Sequence, residues 1–289
     1  MVNKIILFIF MLLLMAGCTT NPPIKEAKGL QENIAVTDDG EVTFKIFNTA
    51  NVPAERVDAV KKELTQAYNE IRQTIKTDYT PSKRINIHLL EGSEVSWGFK
   101  ADIKLYGVRN GKDPLVHELT HTLLGYGVNN DSTRGYLTQE GLAVYMENRF
   151  GKQKSPVHKV MKLFLNLGKA IPLNKLIDLD NDDRLFSPAI IGPDGFAIQV
   201  MSYYHAASFV TYLIDTYGLD NFEKIYNKPM LSEKFAEVYG KNVDELEGEW
   251  LSYIDKNYNE PEMEEKMKIE NFYSLLSSID SIDEQIFQR

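Results

Sequence analysis

Asp113-Pro114-Leu115-Val116-His117-Glu118-Leu119-Thr120-His121 decides how this chain is read, because it places the pattern H-E-x-x-H at the start of a helix. On a helix of about 3.6 residues per turn, positions four apart share a face, so His117 and His121 can aim two imidazoles at one metal ion. Glu118 then stands beside that ion. Neutral imidazole is a good ligand for Zn²⁺, and a carboxylate next to a metal-activated water can take its proton as the water attacks a carbonyl. Local signals support the helix: Asp113 as N-cap, Pro114 at the first helical position, and Val116, Leu119 and Leu123 as an apolar face. Gly125 and Gly127 supply the stop. The plainer alternative is a helix with two structural histidines.

A catalytic zinc site wants three protein ligands and one position open to water. Glu140 is the third candidate. Eighteen residues separate it from His121, and it falls in Leu137 to Glu147, which reads as a second helix with an apolar face. A helix, a loop and an antiparallel return fit that gap. Here the chain resembles the gluzincins, the H-E-x-x-H metallopeptidases of thermolysin and aminopeptidase N type whose third ligand is a glutamate on the next helix. Glu140-Gly141-Leu142-Ala143 is similar to the E-G-x-A of the aminopeptidase N branch and its small single-domain relatives. The metzincin pattern is not met, since Leu124 stands at its glycine and Gly127 at its third histidine. In thermolysin-like enzymes an aspartate one turn after the third ligand orients a zinc-bound histidine, and Val144 stands there in this chain. Glu147, two turns from Glu140, is the candidate replacement, against the simpler reading of a solvated surface charge.

The composition, 43% hydrophobic and 25% charged, is that of an ordinary globular protein with room for a sizeable core. A net charge of −9 and a pI near 5.2 argue against a nucleic-acid binder, which would carry a basic face. At the N-terminus, Lys4, the apolar run from Ile5 to Met15, and Met15-Ala16-Gly17-Cys18 read as a targeting segment. Its ending resembles a bacterial lipobox. That resemblance implies that residues 1–17 are a lipoprotein signal peptide, that the Cys18 thiol carries lipid such as palmitate, and that the chain is anchored at the extracytoplasmic face of the cell membrane. An ordinary secretory signal or an uncleaved anchor is the alternative. Cys18 is the sole cysteine, so no disulfide forms within the chain. Residues 18–33 hold two prolines and several charges and suit a flexible tether.

Residues 34–258 are expected to form the peptidase domain. Glu41 to Phe47 and Arg84 to Leu90 alternate as half-buried strands, with an amphipathic helix from Val52 to Ile75 between them. His88 lies on the polar side of its strand and reads as solvated or structural. Ala101 to Val108 is a third strand just before the metal helix. In gluzincins an edge strand at this point pairs with the peptide substrate, which implies a substrate-binding role for Ile103 and Leu105. No G-x-M-E-N sequence is present, and the glutamate of that sequence binds the substrate amine in aminopeptidase N. Its absence leaves endopeptidase action open.

Beyond Gly151 the pattern is mostly helical. Val157 to Leu167 is a helix whose His158 lies among surface lysines and has no expected chemistry. Asp178 to Gly195 reads as a long loop. Its acids Asp178, Asp180, Asp182 and Asp183 lack the EF-hand glycine and terminal glutamate, so a solvated loop is expected. Tyr203 opens a further helix in the register of the aminopeptidase N-like Y-x-x-G-x-x-x-L-x-x-L, with Ala206 for the glycine and Leu213 at the end. The resemblance implies that the Tyr203 hydroxyl stabilises the oxyanion, with Tyr204 and His205 as neighbouring alternatives and an aromatic packing cluster as the structural one. Residues 259–289 form a C-terminal helical extension. The expectation is therefore an α+β, zincin-like metallopeptidase with a small N-terminal sheet, an active-site helix and a mostly helical C-terminal part. Its partners are a peptide or protein substrate and a membrane, and its metal is Zn²⁺. A lipid-anchored binding or scaffold protein on a catalytically silent fold is the competing class.

Overall fold

A computed structural model of the chain describes residues 33–130, 134–187, 192–269 and 272–289. The signal peptide, Cys18 and the tether up to residue 32 lie outside the described residues. Strand and helix alternate first: Asn33–Val36 (β1), Thr43–Asn48 (β2), Ala54–Thr74 (α1), Arg84–Leu89 (β3), Trp97–Phe99 (β4) and Asp102–Leu105 (β5). Helices follow: Leu115–Leu124 (α2), Tyr136–Phe150 (α3), Val157–Asn166 (α4), Leu173–Leu176 (α5), Asp182–Leu185 (α6) and Pro193–Tyr217 (α7). Leu219–Glu223 (α8), Leu231–Tyr239 (α9), Val243–Asn257 (α10), Met263–Lys268 (α11) and Phe272–Ile279 (α12) complete the described chain. The architecture is mixed α+β.

The sheet has the order β1-β2-β3-β5-β4. β2, β3 and β5 run parallel, and β1 and β4 pair antiparallel at the two edges. Strand periodicity sends Phe44, Ile46, Ile85, Ile87, Leu89, Ile103 and Leu105 to one fully buried face. Val57, Val60, Leu64, Ala67 and Ile71 on α1 enter the same core, and Tyr68 meets Phe44 edge-on at 6.5 Å. On the other face His88 stacks on Phe47 at 4.8 Å, with its Nε2 3.6 Å from Asp102 Oδ1.

Two edge strands were not expected. β4 is three residues long with a glycine at its centre, too short to show a period. Its presence makes β5 an interior strand. Ile103 and Leu105 are therefore core residues with no exposed surface, not substrate contacts, and the edge nearest α2 belongs to β4. α7 begins at Pro193, ten residues before Tyr203, because Pro193 suits the first turn and apolar residues continue the helix from there. Tyr203 thus lies mid-helix.

α3 and α7 are the central helix pair, and α2 packs between α3 and the sheet. A Cβ at Gly141 would overlap the Val210 side chain and stand 2.6 Å from the Ala206 carbonyl oxygen. Only glycine lets the two helices approach this closely. The described residues group as one unit. Within it α12 lies against α7 and buries Phe272, Leu275 and Ile279. Among the described residues no helix is long and apolar enough to cross a membrane.

Candidate metal centre

Both helices that carry the expected ligands are held at their N-termini by buried carboxylates from elsewhere in the chain. In α2 the N-cap position is Pro114, which has no side chain to offer the first N–H groups. Asp113 does not cap; its carboxylate is buried in an ion pair with Arg56 at 2.6 Å. Glu147 on α3 supplies the missing acceptor, taking the His117 backbone N–H at 3.0 Å. Its other oxygen accepts from Lys152 and Gln153 N–H, each at 2.8 Å, and only 4% of the residue is exposed. Glu147 is therefore neither a solvated surface charge nor a partner of a ligand ring: it anchors the first turn of α2 to the last turn of α3. Asp182 does the same for α3, accepting from Gly135 N–H at 2.5 Å and from Tyr136 N–H. It is 1% exposed, against the expectation of a solvated acidic loop, and burial pushes its pKa up to about 6.

With both helices placed, His117, His121 and Glu140 converge. The two Nε2 atoms are 3.2 Å apart, and Glu140 Oε2 lies 3.2 Å from His117 Nε2 and 3.4 Å from His121 Nε2. Ligand atoms about 2.0–2.1 Å from a four-coordinate tetrahedral ion lie roughly 3.3 Å from one another, so the three edges match such an ion. Glu140 Oε2 is buried without a hydrogen-bond partner among the described residues. The electrostatics agree. Burial acts to lower the His117 pKa, but its contact with Glu140 and the charges of Glu118, Glu140 and Glu147 outweigh that and raise it to about 9. Burial likewise acts to raise Glu140, yet the imidazoles of His121 and His117 hold its carboxyl well below the usual range. The cluster attracts positive charge, and these three residues can hold a metal ion.

No protein-family profile matches this chain, and no curated protein matches it significantly.

Tyr126 is a site residue that the sequence reading missed. Its hydroxyl donates to Glu140 Oε1 at 2.9 Å, which leaves Oε2 for the centre of the triangle. Its ring stands edge-on to His121 at 4.8 Å and to Phe99 at 6.1 Å. The only signal is an aromatic between two glycines directly after the metal helix, and that pattern has no unique meaning. No carboxylate orients His121, whose Nδ1 is buried without a hydrogen-bond partner among the described residues, so the Tyr126 ring positions it by packing.

The triangle lies in the wall of an open cleft of about 780 Å³ that Glu118 and Tyr203 also line. Burial raises the Glu118 pKa, opposed by the charges of His117 and His121, and the Gly98 backbone N–H bonds its carboxylate. A Cβ at Gly98 would collide with the Glu118 carbonyl, so β4 presses directly on α2. Tyr203 has its pKa raised by burial and by the nearby Glu140 charge. Tyr204 also lines the cleft, with its hydroxyl 3.3 Å from Ser155 Oγ.

His205 faces away. It is fully buried, donates from Nδ1 to the Met201 carbonyl at 2.7 Å and accepts the Ile171 N–H on Nε2 at 2.9 Å. These bonds fix one neutral tautomer, and burial lowers its pKa to about 4. His158 is also buried rather than among surface lysines, with Nδ1 2.9 Å from Ser208 Oγ and Tyr253 and Tyr258 against its ring.

Proposed function

We propose that this chain is a Zn²⁺-dependent peptidase with a zincin-like fold and a gluzincin-type ligand set, anchored by lipid on Cys18 at the extracytoplasmic face of the membrane. The observation that carries the reading is the His117–His121–Glu140 triangle, with edges of 3.2, 3.2 and 3.4 Å, set in a cleft wall beside Glu118. The membrane part rests on the lipobox-like ending at Cys18 alone.

When bound, Zn²⁺ supplies Lewis acidity that polarises a carbonyl and makes a water nucleophilic near neutral pH. His117 and His121 would hold the ion through Nε2 and Glu140 through Oε2, while Tyr126 donates to Oε1 and keeps the carboxylate in place. Glu118 takes a proton from the attacking water and passes it to the leaving nitrogen as the C–N bond breaks. Tyr203 keeps its hydroxyl proton because burial raises its pKa, so it can donate to the oxygen that gains charge in the transition state.

The test is metal content of the purified full-length chain in detergent. One zinc per chain is expected, largely lost in Glu140→Ala. Glu118→Gln should retain zinc and lose peptide hydrolysis by at least about a hundredfold. Absence of bound zinc after incubation with excess metal would refute the reading.

A further inference from the structure

The sheet carries its helices on one face. α1 and α2 lie against it on the side of Phe44, Ile87 and Leu105. The opposite face is open among the described residues, and none of its strand residues is buried. Parallel strands are ordinarily covered on both sides, and β2, β3 and β5 are parallel.

The register sets out what this open face displays. Phe47, His88, Lys104 and Trp97 form one row across the sheet, Ile34, Lys45, Asn86 and Asp102 the next, and Val36, Thr43 and Arg84 a third. Ile34, Val36 and Trp97 are 52%, 51% and 41% exposed, so large apolar side chains stand at both edges. Cations lie between them. The five strands hold Lys45, Arg84 and Lys104 but a single acid, Asp102, in a chain whose 41 acids outnumber its 32 lysines and arginines. The Lys45 and Lys104 ammonium groups lie over the rings of Phe47 and Trp97, at 5.0 and 4.9 Å. Asp102 accepts from the Asn86 amide at 3.0 Å and lies beside His88. In the β1–β2 turn, Asp38 and Asp39 bond Asn69 and Tyr68 of α1, on the covered side.

From this we infer that the open face of the sheet docks on the anionic surface of the bilayer that holds the Cys18 lipid, with Ile34, Val36 and Trp97 entering the headgroup layer and the cations meeting lipid phosphates. The inference rests on the anchored reading above and adds an orientation to it. Two observations point to this occupant. The first is connectivity. Residues 19–32, fourteen in number, separate Cys18 from Asn33 at the start of β1, and a chain of that length reaches at most about 50 Å. β1 is an edge strand of the open face, so the anchor keeps that face near the membrane. The second is chemical fit. Tryptophan favours the headgroup layer, and lysine and arginine close to a surface are drawn to anionic lipid, whereas the acidic remainder of the chain is repelled by it. Because Trp97 also lines the metal cleft, this orientation brings the mouth of the cleft to the bilayer.

The experiment reconstitutes the full-length chain into vesicles of phosphatidylcholine, alone or mixed with phosphatidylglycerol, whose acyl chains are brominated to quench nearby tryptophan. Trp97 and Trp250 are the only tryptophans, and Trp250 is fully buried, so quenching reads Trp97. Strong quenching is expected in the anionic vesicles and little in the neutral ones, and Trp97→Phe should abolish it. Arg84→Gln combined with Lys104→Gln should lower the ratio of docked to undocked chain roughly tenfold or more. Raising the salt on the wild type should release Trp97 while the chain still floats with the vesicles, which reads the charge without any substitution. A chain that floats with anionic vesicles yet shows no quenching of Trp97 at low salt overturns the inference and leaves the anchored reading intact. Quenching equal in neutral and anionic vesicles, or unchanged by both salt and the paired substitution, overturns the inference as well. A chain that floats with neither kind of vesicle overturns both the inference and the anchored reading.

Discussion

Glu147 offers the sharpest test of how α2 is held. Its carboxylate takes three backbone N–H groups, from His117 at 3.0 Å and from Lys152 and Gln153 at 2.8 Å. Glu147→Gln keeps the volume but turns one oxygen into a donor, so at least one of these N–H groups faces another N–H. In the cheaper orientation that group is the His117 amide, while the other two bonds lose their charge assistance. Hydrogen bonds to charged acceptors contribute about 1.5–3 kcal/mol net, so the loss should be about 2–3 kcal/mol. Glu147→Ala strands all three donors. The Lys152 and Gln153 amides belong to a partly exposed turn and can recover water, whereas the His117 amide lies inside, so the expected loss is about 3–5 kcal/mol. Urea unfolding in the presence of chelator reads this without any contribution from metal. A zinc competition assay reads the functional consequence, because the first turn of α2 carries His117. Affinity should fall roughly tenfold, in the range seen when the groups that orient metal ligands are removed. If Glu147→Ala lies within about 0.5 kcal/mol of wild type and binds zinc equally well, the residue is a surface charge and the capping argument is wrong.

Tyr126→Phe removes the donor to Glu140 Oε1 and keeps the ring against His121, so zinc affinity should weaken roughly tenfold in chelator competition with the thermal midpoint little changed. Gly141→Ala drives a methyl into the Ala206 carbonyl and should cost about 3 kcal/mol, a fall in midpoint of roughly 6–12 °C by calorimetry; an unchanged midpoint would mean α3 and α7 are not in contact there. Asp182 has a native pKa of about 6 against an ordinary value of 3.8, so between those limits the folded chain binds more protons than the unfolded one. Its contribution to stability is fully present below 3.8 and is lost as pH rises through 6. Asn does not titrate, so the stability advantage of wild type over Asp182→Asn should narrow from pH 4 to pH 7, and a constant gap would contradict the burial of that charge.

The three residues of the candidate metal site were legible because their information is local or nearly so. His117 and His121 depend on helical spacing within a single turn, and Glu140 on a second helix close enough to fold back. The amphipathic α1 and the strands β2 and β3 were legible for the same reason, since a repeating period averages over many residues. β4 could not be found this way: three residues with a central glycine carry no period, yet their position at the sheet edge moves Ile103 and Leu105 into the core.

The remaining errors share a cause. Glu147, Asp182, His158 and His205 look like ordinary polar residues along the chain, and all four are buried. Whether a polar side chain is solvated depends on which distant backbone or ring meets it, and the residues either side do not specify that. The sequence by itself determined the chemistry on offer, two imidazoles and one carboxylate at spacings suited to one ion with a second carboxylate beside them, because side-chain type and helical pitch are intrinsic to the chain. Only the tertiary structure decided which groups hold those ligands in place. Tyr126 on Glu140, Glu147 beneath His117 and Asp182 beneath α3 are contacts between segments, created when α3 folds back beside α2 and packs on α7.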